Sequence, residues 1–175
     1  MADPQLTVMI PAEVIQDRVR KLAIEISEDL QGEPITLLGV MTGSLMFLTD
    51  FMRALEVPHQ VGVIQASSYC GESTTSGQLT VNLDFLPPLS GRNVLLIDDI
   101  LDTGQTLQRL TEKIETLNPA SLRTAVLLWK QCRTTFAIEP DYFGFKIEDH
   151  FVVGYGLDYN DDYRHLADIC ELRLG

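Results

Sequence analysis

Apolar residues recur along this chain in two periods that take turns. Ile15, Val19, Leu22, Ile26 and Leu30 fall on one face of a helix, which spans Pro11 to Leu30. Pro11 suits its first turn and Gly32 its stop. Ile35 to Val40 is a short continuous apolar run, as in a strand buried on both faces. A tight turn, Met41-Thr42-Gly43-Ser44, leads to Leu45, Phe47, Leu48, Phe51, Met52 and Leu55, a second amphipathic helix that Val57-Pro58 breaks. Gln60 to Ala66 and Leu79 to Phe85 alternate apolar and polar residues as strands do, and Pro87-Pro88 ends the second. Val94 to Ile97 is again wholly apolar, and Leu107, Leu110, Ile114 and Leu117 mark a third helix ending near Asn118-Pro119. Leu122 to Trp129 is an apolar strand. Asp141 to Ile147 and His150 to Tyr155 are short strands around a Glu148-Asp149 turn, Leu157 to Tyr163 is polar and acidic, and Ile169 to Leu174 is a last strand.

The strand–helix alternation from Ile35 to Trp129 predicts an α/β fold with a central, largely parallel sheet flanked by helices. The strand-rich tail predicts a small appended element on one edge of that sheet. Residues 67–78 are rich in Ser, Thr and Gly, with Tyr69 the one aromatic, and have almost nothing to bury. A loop of that length reads as a mobile lid. No repeat, low-complexity tract or linker divides the chain, so 1–175 is expected to form one domain.

Composition narrows the function classes. Hydrophobic residues make up 45% and charged residues 22% of the chain, ordinary for a globular protein. The net charge of −12 disfavours a nucleic-acid-binding face, which needs clustered Lys and Arg. An anionic small ligand must then be held locally, by amides, a few cations or a metal. Cys70, Cys132 and Cys170 are odd in number and widely spaced, which fits a reducing cytoplasm better than a disulfide framework or zinc site. No apolar run approaches the roughly 20 residues of a membrane span, and the first residues lack the basic-then-apolar pattern of a signal peptide.

The chemistry concentrates in Val94 to Leu107. Four apolar residues run into Asp98, Asp99 and Asp102, followed by Thr103-Gly104-Gln105-Thr106 at the start of the third helix. Ligands of parallel sheets bind outside the carboxyl ends of strands. A helix start offers free N–H groups and a positive dipole end to a phosphate. Three carboxylates would repel a bare phosphate, but they suit sugar hydroxyls and Mg²⁺. The stretch therefore predicts a sugar phosphate. The Thr103–Thr106 amides take the phosphate, Asp98 and Asp99 take the ribose and metal, and Asp102 is a general base at the reacting group. Helix capping alone would need one such residue, not this set. An apolar run ending in Asp-Asp also resembles receiver domains of response regulators, but too little chain follows Asp99 for that fold, and the Asp-Thr-Gly-x-Thr loop has no place there. The G-x-x-x-x-G-K-[ST] and G-x-G-x-x-G signatures are absent.

An apolar strand, two acids, two apolar residues and Asp-Thr-Gly resemble the phosphoribosyl pyrophosphate motif of type I phosphoribosyltransferases. Ser67-Ser68-Tyr69, the Leu127-Leu128-Trp129-Lys130 strand end, Phe143-Gly144-Phe145, Phe151 to Tyr159 and Arg164 are similar, in order, to the hypoxanthine-guanine phosphoribosyltransferases. The resemblance implies the type I phosphoribosyltransferase fold, with a base-binding hood mainly from 141–175. It implies purine salvage: phosphoribosyl pyrophosphate and hypoxanthine or guanine give IMP or GMP and pyrophosphate, with Mg²⁺ as cofactor. Asp102 is then the acid/base at purine N7. Asp98, Asp99, Thr103, Gly104, Gln105 and Thr106 hold the phosphoribosyl group, and Thr42, Gly43 and Arg164 the pyrophosphate. Lys130 donates to the 6-oxo group, Phe151 stacks on the purine, the Val152 backbone reads its edge, and Asp158 belongs with them to the purine-binding set. Asp158 lies near a second Mg²⁺, so Asp98, Asp99 and Asp158 are the implied metal residues, while Ser68 and Tyr69 belong to the lid. The family implies a homodimer or homotetramer. Its members commonly carry a Lys where this chain has Thr42 and a Glu where it has Asp98. The other reading of the same fold is a non-catalytic or regulatory nucleotide-binding protein.

Overall fold

In the computed structural model, residues 4–68, 79–82, 86–133 and 138–173 are described. Neighbouring positions on the central strands face opposite ways, and both faces are covered. On β5 (Asn93–Leu101), Leu95 and Ile97 join a core with Ile15, Val19, Leu22 and Ile26 of α1 (Ala12–Leu30) and Phe47 and Phe51 of α2 (Leu45–Ala54). Val94 and Leu96 join a second core with Leu107, Leu110 and Ile114 of α3 (Gln105–Glu115). A strand that meets an apolar layer on each side must be apolar throughout, which is why Val94 to Ile97 carries no alternation.

The central sheet has the order β4-β3-β2-β5-β6-β7. β2 (Ile35–Met41), β3 (His59–Ser68), β5, β6 (Ser121–Trp129) and β7 (Tyr142–Lys146) run parallel, and β4 (Leu79–Asn82) is antiparallel to β3. From β2 the chain proceeds outward to β3, and from β5 it proceeds the other way to β6. The order therefore reverses between β2 and β5, where open α/β sheets bind their ligands.

A separate three-stranded antiparallel sheet has the order β1-β9-β8, from β1 (Gln5–Ile10), β9 (Ile169–Arg173) and β8 (Val152–Val153). This differs from the sequence expectation in three ways. The strand expected over 141–147 is present as β7, but it extends the central sheet rather than the small one. The small sheet instead recruits the N-terminal segment. The strand expected over His150 to Tyr155 is cut to two residues, because Gly154 (φ 97°) and Tyr155 (φ 50°) turn the chain out of extended geometry. The lid expected over 67–78 lies outside the described residues apart from the backbone of Ser67 and Ser68 at the end of β3, and Tyr69 is outside them altogether.

Among the described residues, no helix is long and apolar enough to cross a membrane. Cys132 is exposed and Cys170 buried, and neither is in a disulfide. Cys70 lies outside the described residues.

Candidate active site

β5 does not end where its apolar run ends. It remains paired with β6 through Asp98↔Val126, Ile100↔Leu128 and Leu101↔Trp129, so the two acids stand on the strand itself. A cleft of about 280 Å³ opens there, between the carboxyl ends of β2 and β5. Val40, Met41 and Gly43 line one side, and Asp98, Asp99, Asp102, Thr103, Gly104 and Thr106 the other. The structure thus brings both acids, the candidate base, most of the phosphate loop and Gly43 of the expected pyrophosphate loop around one space. Thr42 and Gln105 are adjacent in sequence to lining residues.

The two acids are in an unfavourable electrostatic state. Burial, then the neighbouring Asp99 charge, push the Asp98 carboxyl well above its ordinary range. Burial also raises Asp99, partly offset by hydrogen bonds and by the Arg164 charge. Their oxygens are partly occupied by local backbone: Asp99 N donates to Asp98 Oδ1 (3.0 Å) and Ile100 N to Asp99 Oδ1 (2.8 Å). Two adjacent, desolvated carboxylates in a cleft suit a hard divalent cation. Mg²⁺ commonly takes one or two protein carboxylates and fills its shell with water and substrate phosphate oxygens. The pair fits that demand. Among the described residues no group of three His, Cys, Asp or Glu is arranged to hold a metal by itself, and Asp158, implied as a third metal residue, is instead engaged by Arg164.

The phosphate loop is shaped by Gly104, which precedes α3 at φ 89°, a conformation that disfavours side chains. Gly104 itself offers no side-chain cap, Gln105 N donates only a long bond to Thr103 Oγ1 (3.4 Å), and the first turn has no acidic residue. The positive end of α3 is thereby open toward the cleft.

The turn after β2 is clamped from two directions. A Cβ on Gly43 would fall 1.8 Å from Asp99 Oδ2. On the other side a Cβ on Gly156, itself at φ 100°, would fall 2.2 Å from the Gly43 carbonyl oxygen. The hood segment after β8 therefore rests directly on this turn. Arg164 secures that segment: Nη1 donates to the Gly156 carbonyl (2.8 Å), and Nη2 pairs with Asp158 Oδ1 (2.9 Å) and Asp161 Oδ1 (3.0 Å). Tyr155 anchors it from below, donating its hydroxyl to Asp50 Oδ2 on α2 (2.7 Å).

The base-side residues flank the cleft without lining its floor. Lys130 is buried, and its backbone N–H donates to the Leu101 carbonyl (2.9 Å), which seats it beside Asp102. Its ammonium group is 3.4 Å from Asp149 Oδ1. Phe151 is half exposed, an unusual state for a Phe, and meets Tyr159 edge-on with ring centroids 5.6 Å apart. Val152 is buried and paired with Glu171 in the small sheet. The side chain of Ser68, like Tyr69, is outside the described residues.

Sequence reasoning passed over two residues here. Arg133 Nε lies 2.9 Å from Asp102 Oδ1, and its Nη1 lies 3.3 Å from Asp149 Oδ1. The signal for Arg133 was a cation three positions after Lys130 in a loop; the turn acid Asp149 carried none.

Comparison with known proteins agrees with this architecture. Residues 11–160 match the model of the phosphoribosyl transferase domain family. The human hypoxanthine-guanine phosphoribosyltransferase is 37% identical over 172 residues, covering 93% of this chain and 79% of the relative, and the mouse protein matches to the same extent. Among solved structures, a hypoxanthine-guanine phosphoribosyltransferase from Bacillus anthracis superposes with a TM-score of 0.88 at 34% identity, covering 94% of this chain and 97% of that one. The Trypanosoma cruzi hypoxanthine phosphoribosyl transferase superposes with a TM-score of 0.89 at 39% identity, covering 95% and 91%. A cleft at the sheet's switch point and relatives matched over 79% or more of their length lead to one assignment: this chain belongs to the phosphoribosyltransferase family, in its hypoxanthine-guanine group.

Proposed function

We propose that this protein is a purine-salvage phosphoribosyltransferase that converts phosphoribosyl pyrophosphate and hypoxanthine or guanine into IMP or GMP and pyrophosphate. The observation that carries this reading is the single cleft shared by Asp98, Asp99, Asp102 and the Thr103–Thr106 loop, closed on its far side by Gly43. The 5′-phosphate sits at the start of α3, on the backbone of 103–106. Asp98 and Asp99 face the ribose hydroxyls and would hold Mg²⁺, which when bound offsets the negative charge of the departing pyrophosphate. Purine N9 forms a bond to C1′ as the C1′–O bond to pyrophosphate breaks with its electron pair leaving on oxygen. The proton on N7 passes to Asp102. Lys130 donates to the 6-oxo group, which disfavours adenine because its 6-amino group is itself a donor. Phe151 supplies a stacking face, and the Val152 backbone reads the purine edge. Thr42, Gly43 and Arg164 receive the pyrophosphate, with Asp158 oriented by Arg164. Residues 67–78, with Ser68 and Tyr69, act as the lid that keeps water from the cationic sugar.

The same reading extends to a single working unit over the whole chain, a cytoplasmic location and a homodimer or homotetramer. The net charge of −12 supports small-molecule rather than nucleic-acid partners. The test is pyrophosphate release from phosphoribosyl pyrophosphate, with and without Mg²⁺, using hypoxanthine, guanine and xanthine in turn. Mg²⁺-dependent turnover with hypoxanthine or guanine supports the proposal. Nucleotide binding without turnover on any base would favour a regulatory binder on the same fold.

A further inference from the structure

Four charged side chains alternate in sign around the base side of the cleft. Asp102 pairs with Arg133 (2.9 Å), Arg133 with Asp149 (3.3 Å), and Asp149 with Lys130 (3.4 Å). The row begins at the group proposed to take the N7 proton and ends at the group proposed to bind the 6-oxo oxygen. The two poles of one purine ring are thus joined through two residues to which the reaction assigns no part.

The Asp102 carboxylate is asymmetric. Its side chain is 40% exposed, yet Oδ1, the atom beside Arg133, has less than 1 Å² accessible. The accessible carboxylate oxygen is therefore Oδ2. Arg133 Nε meets Oδ1 at 2.9 Å as an ion pair, without the alignment of a hydrogen bond, and leaves Oδ2 to accept a proton. Its guanidinium has donors to spare, and Nη1 spends them on Asp149. Asp102 is the foremost influence holding the Arg133 guanidinium above its usual range, with Asp149 adding to it. The rigid guanidinium plane places Nε against Asp102 while Nη1 is held by Asp149.

We propose that Arg133, braced by Asp149, is the positioning residue for Asp102, fixing which oxygen of that carboxylate meets purine N7. The proposal rests on Asp102 being the proton acceptor. Arg133 acts through Asp102 rather than on the base or sugar directly. Its contribution is to keep Asp102 within the narrow range of orientations in which proton transfer is fast. Because Asp149 also engages Lys130, the same row sets the spacing between the N7 and 6-oxo contacts.

The experiment is a double-mutant cycle on the full chain, combining Arg133→Ala with Asp102→Asn and following IMP formation from hypoxanthine. In the wild-type background, Arg133→Ala should lower kcat about 10- to 100-fold and change the KM for hypoxanthine by less than about threefold. In the Asp102→Asn background it should cost almost nothing more, because the group it orients no longer accepts a proton. Arg133→Lys should recover part of the loss, and Asp149→Asn should give a smaller loss of the same kind. An equal loss in both backgrounds, a change confined to KM, or full activity in Arg133→Ala would overturn the proposal while leaving a slow Asp102→Asn enzyme unexplained by it. An Asp102→Asn enzyme as fast as wild type would instead overturn the assignment of Asp102, and the role of Arg133 with it. Thermal unfolding of Arg133→Ala separates misfolding from misplacement, and Arg133→Lys keeps the cycle readable if the alanine variant unfolds.

Discussion

Gly43 has no room for a side chain because Asp99 occupies the space: a Cβ there would lie 1.8 Å from Asp99 Oδ2. This contact joins the turn after β2 to the acids of β5, the two walls of the cleft. Gly156 holds the same turn from the hood side. The proposed pyrophosphate side, the proposed ribose side and the hood therefore meet at one backbone position.

Gly43→Ala should accordingly displace either the turn or Asp99. Overpacking of this kind costs about 1–3 kcal/mol. The expected outcome is a lower unfolding midpoint together with a marked loss of kcat/KM for phosphoribosyl pyrophosphate. Calorimetry and steady-state kinetics on the same preparation measure both.

The family resemblance implies a Lys where this chain has Thr42. Thr42→Lys should strengthen binding of the polyphosphate through an added cation. At an exposed site that is worth up to about 1 kcal/mol, so the KM for phosphoribosyl pyrophosphate should fall about two- to fivefold. The gain should shrink as salt is raised. Initial rates at low and high ionic strength check both.

The Asp98–Asp99 pair makes stability depend on pH with a defined sign. Both carboxyls are raised above the ordinary value of 3.8, chiefly by burial and, for Asp98, by Asp99 as well. A carboxyl raised in the folded state costs stability when it ionises. The cost is absent below the ordinary value and grows as pH rises through the folded one. Metal-free Asp98→Asn should therefore unfold at a higher temperature than wild type at neutral pH, with the advantage vanishing toward about pH 4. Mg²⁺ alone should stabilise wild type more at neutral than at acid pH, and Asp98→Asn less than wild type. Scanning calorimetry from acid to neutral pH, with and without Mg²⁺, tests the sign.

A single hydroxyl adds a polar tie between the hood and α2. Tyr155 is buried at φ 50° and donates to Asp50 Oδ2 at 2.7 Å. Burial and the Asp50 carboxylate push its phenol far above the usual tyrosine range. Tyr155→Phe removes that donor and leaves Asp50 short of a partner. The expected loss is about 1–2 kcal/mol, or about 2–8 °C in Tm, measured by thermal unfolding.

What the sequence made readable follows from where the signals lie along it. Val94–Ile97 and the helical spacing of α1 are contiguous, so the layers and most strand positions could be read from period alone. Asp98, Asp99, Asp102 and the phosphate loop fall within ten residues and were equally plain. β1 was not readable, because Leu6 and Val8 remain substantially exposed and the strand buries almost none of its length. Its partner β9 lies at the other end of the chain, and backbone pairing leaves no periodic mark. β7 looked like part of the tail because nothing local tells a strand which sheet it will join. Arg133 and Asp149 escaped for the same reason as β1: their contacts with Asp102 and Lys130 exist only through space. Motif spacing exposes groups that share a stretch of backbone, and misses those that three loops bring together.

The central claim is that this cleft transfers a phosphoribosyl group with Asp102 accepting the purine proton. Its most direct test is a single-turnover measurement of IMP formation by wild type and Asp102→Asn, paired with calorimetric binding of IMP to each. The account requires rapid IMP formation by wild type and a fall of about 100-fold or more in Asp102→Asn, with IMP affinity changed less than about threefold. A folded wild-type protein that binds IMP but forms none, or an Asp102→Asn variant that forms it at the wild-type rate, would contradict it.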